Sequence, residues 1–101
     1  MEVGDSSAAK PTYQGEFNKG VDLFDKEFQA YQKSTFDAQK REYSKSMHDA
    51  LDVIGDSAKG MANTKLQEMK AKLEKDLDEY IKNPTEINRQ HVDEDLNTLK
   101  N

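Results

Sequence analysis

Between Tyr13 and Tyr80 the large apolar residues of this chain recur mostly at steps of three and four, with no run of strict alternation. That is the rhythm of helices burying one stripe, and it excludes a sheet as the organising element. The clearest instance is FNKGVDLFDKEFQAY, in which Phe17, Val21, Phe24, Phe28 and Tyr31 follow at steps of 4, 3, 4 and 3. With Tyr13 they span an arc of about 80°, which predicts a helix over 13–33. Gly20 interrupts it at a cost of about 1 kcal/mol relative to Ala, and the missing side chain marks a candidate point of close helix approach.

After Tyr31 the next aromatic, Phe36, comes five residues on, a step that no single straight stripe accommodates. Ser34 and Asp37 have capping-box spacing, so a break there is favoured over one long helix. A second helix is predicted over 35–54, with Phe36, Tyr43, Met47, Ala50, Leu51 and Ile54 on one face and Gly55 as the terminating residue. GDSAKGMANT, residues 55–64, reads as a loop. A third helix is predicted over 60–82, its stripe made of Ala62, Leu66, Met69, Leu73, Leu77 and Tyr80. Asn83 as N-cap, Pro84 at the first position and Glu86 at the third then start a short helix. That helix reaches Lys100, carries Val92, Leu96 and Leu99 on a narrow face, and is expected to dock weakly.

The expected fold is all-α: a small antiparallel helical bundle or hairpin of coiled-coil-like packing, with three main helices, a short C-terminal one and a disordered N-terminal tail. Residues 1–12 form the tail, since their small polar side chains have nothing to bury, and 13–101 form one helical domain. Apolar residues make up 34% of the chain and charged ones 35%, with mean hydropathy -1.06, so few side chains are available to close a core.

Charge and composition narrow the function classes. A net charge of -5 argues against binding nucleic acid through the overall field. The absence of cysteine removes disulfides, thiol nucleophiles and Cys-based zinc sites. No apolar run is long enough to span a membrane, and residues 1–15 lack the pattern of a secretory signal. The expected compartment is the cytoplasm, with non-classical export as the alternative.

The chemistry-bearing residues are sparse. His48 near Asp49 and Asp52 has the makings of an acid–base pair, but a half-exposed helix histidine explains it better. His91 with Asp93, Glu94 and Asp95 cannot converge on one ion, because adjacent helical residues diverge by about 100°. No phosphate loop or nucleophile elbow is present. Hence no catalytic, cofactor-binding or metal-ligating residue is assigned, and no enzymatic activity is expected. Lys33, Lys40, Arg41 and Lys45, interleaved with Phe36 and Tyr43, form the one basic, aromatic-rich cluster, diluted by Asp37 and Glu42. Residues 65–82 mix acids and bases around the helix, as a soluble helix does rather than a membrane-surface one.

In size and helicity the chain is similar to small type III secretion needle and rod subunits and to the helical chaperones that hold them, although the likeness is of architecture alone. WXG100 exported hairpins share the length, but their Trp-x-Gly turn has no counterpart in a chain without tryptophan. The leading expectation is a non-enzymatic helical protein–protein interaction module: an adaptor, chaperone or assembly component. Its contact face would comprise Phe17, Val21, Phe24, Phe28, Tyr31, Leu66, Met69 and Leu73, meeting a protein partner or a second copy in a dimer. The alternatives are an exported structural subunit or effector of a secretion system, and a small regulator with weak nucleic-acid contact through Lys40, Arg41 and Lys45. For each residue of the stripe, a place in the chain's own core is the stronger reading.

Overall fold

A computed structural model of the protein describes residues 12–100, and the tail expected over 1–12 lies outside them except for Thr12. Among the described residues four helices follow in order: α1 Tyr13–Lys33, α2 Asp37–Gly60, α3 Thr64–Lys82 and α4 Glu86–Lys100. Among the same residues there is no strand, and no helix is long and apolar enough to cross a membrane. Three-residue connections force each helix to turn back along its predecessor, so the four run antiparallel as a bundle.

The helix ends explain both the agreements and the corrections. Thr12 caps α1, its hydroxyl accepting from the Gly15 N–H at 2.9 Å. The break after Tyr31 exists, but Ser34 closes α1 instead of opening α2. Its N–H donates to the Tyr31 carbonyl, and its hydroxyl lies 3.1 Å from Gln39 Oε1. The N-cap of α2 is Phe36, with no side-chain cap, so the expected capping box does not form and Phe36 is 66% exposed.

The second helix does not stop at Gly55. It continues to Gly60 because the stripe continues: Ile54 is followed on the buried face by Ser57 and Ala58, small residues that fit beside α1. The loop expected over 55–64 shrinks to residues 61–63. Ala62, assigned from sequence to the third helix, instead adopts the left-handed conformation at φ 53°. Around it the Ala62 N–H donates to the Lys59 carbonyl and the Asn63 N–H to the Ala58 carbonyl, at 2.9 and 3.0 Å. This is a Schellman closure built on alanine where glycine is the usual residue. Asn63 also caps α3 by accepting from the Leu66 N–H at 3.0 Å. An L residue in this conformation carries a strain of about 1 kcal/mol. Ala62→Gly is therefore expected to raise the unfolding free energy by up to about 1 kcal/mol in urea titration; a loss of stability would mean that Ala62 is not left-handed.

The start of α4 differs in the same way. Asn83 ends α3, and Thr85 is the cap, its hydroxyl accepting from the Asn88 N–H at 3.2 Å.

Every helix contributes to one core: Phe17, Val21, Phe24, Phe28 and Tyr31 from α1, Met47 to Ile54 from α2, Leu73, Leu77 and Tyr80 from α3, and Val92, Leu96 and Leu99 from α4. The last three are at most 5% exposed, so α4 is a full member of the bundle and not the weakly docked helix expected. Its end is fastened by Lys100 to Asp25 of α1 at 2.6 Å. The α1 stripe packs first on α2 and reaches α3 across the core at Tyr80. There the Phe28 and Tyr31 rings meet Tyr80 edge-on, with centroids 5.5 and 6.0 Å apart.

Gly20 is a point of close approach of α1 to α2. A Cβ built there would lie 2.9 Å from Ile54 Cγ1, 3.2 Å from Val53 Cγ1 and 3.4 Å from the Ala50 carbonyl. The apparent flaw in the stripe is what lets the two longest helices close on one another.

Candidate interaction surface

The residues nominated from sequence as a contact face divide unevenly. Phe17, Val21, Phe24, Phe28, Tyr31 and Leu73 are buried inside the bundle, while Leu66 and Met69 are half-buried against it. The large apolar side chains that do reach solvent are Tyr13, Leu23, Phe36 and Ile87. Tyr13 lies over Gly60, where a Cβ would stand only 2.4 Å from its ring.

A different set of residues converges where the end of α1, the start of α2 and the end of α3 meet. Tyr31, Gln32, Lys40, Arg41, Tyr80, Ile81 and Pro84 line a hollow of about 350 Å³, with Asp37 its sole acid. An adjoining hollow of about 370 Å³ shares Tyr31, Lys40, Arg41 and Ile81 and adds Ser44 and Lys45. The helical repeat puts Lys40, Arg41, Ser44 and Lys45 on one side of α2, and the short loops bring the ends of α1 and α3 beside it. Half-buried Ile81 and exposed Pro84 supply apolar surface, and the basic residues form the rim. The sequence singled out Lys40, Arg41 and Lys45 but not Tyr31, Tyr80, Ile81 or Pro84 as their neighbours. Those lie on helices whose pairing the sequence left open.

His48 is engaged, but not by Asp49 or Asp52. Its Nε2 lies 2.9 Å from Asp78 Oδ1 on α3, and its Nδ1 lies 2.7 Å from the Ser44 carbonyl. Both ring nitrogens face acceptors, an arrangement that the imidazolium satisfies and neither neutral tautomer does. Partial burial opposes the charge, but the bond to Asp78, the Ser44 carbonyl and the Glu74 charge outweigh it, raising the pKa above the usual 6.5. The pair sits on the outside of the α2–α3 seam and clamps the two helices. Among the described residues no group of three or more His, Asp or Glu side chains could hold a metal ion.

The most unusual polar group is Asp95, which lies on the buried face of α4 between Val92 and Leu99 and is 8% exposed. Lys72 of α3 reaches its Oδ1 at 2.8 Å and Asp76 Oδ2 at 3.0 Å. The other Asp95 oxygen is buried and without a partner. Burial and the neighbouring Asp76 push its pKa up to about 6, against the pull of Lys72. For Asp76, burial also favours the neutral form, but a hydrogen bond donated by the protonated Asp95 carboxyl and the bond from Lys72 outweigh it and hold the pKa below the usual range. A sequence signal for the burial of Asp95 existed, since it falls at steps of three and four from Val92 and Leu99.

The sign of the pH effect follows. Asp95 has a folded pKa of about 6 above an unfolded value near 3.8, so its contribution is present at low pH and fades as pH rises through about 6. His48, also raised, acts in the same direction, its contribution fading above pH 6.5. Stability is expected to fall from about pH 3.8 to about 6 through Asp95 and to fall further above pH 6.5 through His48, with Asp76 opposing only in the acid range below 3.8. Asp95→Asn removes the buried charge while keeping its shape. It is expected to stabilise the protein by about 1–2 kcal/mol at pH 7.5 and to flatten the pH profile of Tm. A destabilised Asn variant at that pH would show that the Lys72 contact outweighs the burial cost.

Comparison with family models, curated proteins and solved structures finds no match for this chain.

Proposed function

We propose that the protein is a non-enzymatic helical interaction module, an adaptor, chaperone or assembly component, whose contact surface is the basic-rimmed groove at the α1–α2–α3 end. The observation that carries this reading is the groove itself, where Lys40, Arg41 and Lys45 surround apolar surface from Ile81 and Pro84. The aromatic stripe of α1 supports the reading indirectly: buried within the chain, it builds the scaffold that holds the groove walls. The same three cations are what favours the second reading, a small regulator with weak nucleic-acid contact.

The test is site-specific photo-crosslinking in the cells that make the protein. Benzoylphenylalanine in place of Phe36, which adjoins Asp37 in the groove wall, is expected to give one discrete protein adduct. The same probe replacing Leu23 or Ile87, on other faces, is expected to give none. Equal labelling from all three positions, or none from Phe36, would contradict the proposal.

A further inference from the structure

Resting on that interaction-module reading, we infer that the groove docks an acidic peptide segment carrying an apolar anchor. The groove offers donors in excess of acceptors. Arg41, Lys40 and Lys45 make no ion pair among the described residues, and Tyr31 and Tyr80 line the hollow beside Lys40 and Arg41. A carboxylate entering between these groups gains charge-assisted bonds without displacing a native partner. Beside it, Ile81 and the aliphatic stems of Lys40 and Arg41 offer apolar contact for a neighbouring side chain. Two adjoining hollows of about 350 and 370 Å³ fit a pair of side chains from one segment, one acidic and one apolar.

The charge pattern favours a peptide over a nucleic acid. Lys40 to Lys45 covers about one and a half helical turns, which suits one or two localised anions. A phosphate backbone running further would meet exposed Glu42 and Glu79 on a chain of net charge -5. The two aromatic residues that line the groove offer no stacking platform: Tyr31 and Tyr80 are 9% and 8% exposed and pack edge-on against each other.

The test is selection of random peptides displayed on phage against the immobilised protein, followed by fluorescence anisotropy of the enriched sequences. The enriched peptides are expected to carry two or more Asp or Glu next to a Leu, Phe or Trp. The K40E/R41E variant is expected to weaken them at least about tenfold, and the milder Lys40→Gln/Arg41→Gln variant to weaken them less. Tyr31→Phe with Tyr80→Phe removes the two hydroxyls and is expected to weaken them about threefold while the circular dichroism spectrum stays native. Enriched peptides without acids, undiminished binding to the folded charge-reversed protein, displacement by oligo-dT, or no enrichment would each overturn the assignment. Peptides that bind another face would overturn it while leaving the interaction-module reading standing.

Discussion

Phe24→Ala is expected to lower the unfolding free energy by about 3–5 kcal/mol, the largest effect of any single truncation considered for this protein. Phe24 is fully buried at the middle of the α1 stripe and stacks on Phe28 with centroids 6.1 Å apart. Truncation removes the transfer energy of the ring and its aromatic contact, and it leaves a cavity that four helices held at both ends cannot readily fill. Total stability for a domain of this size is about 5–15 kcal/mol, so the variant should sit near the edge of folding. In a thermal melt the corresponding drop is roughly 15–30 °C. Ile87→Ala, at a position 65% exposed, serves as the control and is expected to change stability by less than about 0.5 kcal/mol. Phe24→Asp should unfold the chain outright, since no partner for the charge lies in that part of the core. A folded Phe24→Asp protein that had merely lost partner binding would return the stripe to the role of contact face.

Gly20→Val is expected to cost about 2–3 kcal/mol, although the substitution improves intrinsic helix propensity. A Cβ alone would stand 2.9 Å from Ile54 Cγ1, and valine adds two γ-carbons on a stiff χ1 to that contact. The Ala50 carbonyl stands at 3.4 Å from the same Cβ, so backbone lies close behind the Ile54 and Val53 side chains that would have to give way. Gly20→Ala is the informative companion. Its propensity gain of about 1 kcal/mol opposes the squeeze on Ile54, and it is expected to fall within about 1 kcal/mol of the native protein. If valine were tolerated as well as alanine, α1 and α2 would be further apart than the structure places them.

These two variants also mark what was legible in the sequence. The α1 stripe was readable because Phe17 to Tyr31 repeat at helical steps, and its register break was visible at Phe36. The role of Gly20 was readable because a glycine beside an apolar stripe has few other uses. What local signals misjudged were helix ends decided by tertiary packing. Gly55 resembles a terminator, yet the helix runs on to Gly60 and keeps Ser57 and Ala58 buried. Ala62 then closes α2 in a conformation for which alanine carries no signature. Asn83-Pro84 resembled a helix start, but Thr85 made the cap.

The groove was half legible. Lys40, Arg41 and Lys45 stand out in the sequence as a basic cluster, but their neighbours Tyr31, Tyr80 and Ile81 come from other helices. Helix pairing depends on how four stripes share one interior, which a single sequence does not rank. The Asp76–Asp95 pair was missed for the same reason, being formed across the α3–α4 seam.

The central claim is that one chain closes its own aromatic core and leaves the groove as the surface for a partner. It is tested most directly by the Tm of the purified protein over a roughly hundredfold range of its concentration. The account predicts a Tm independent of concentration, as befits a core completed within one chain. A Tm that rises steadily with concentration would contradict it, because the stripe of Phe17 to Tyr31 would then be finished by a second copy.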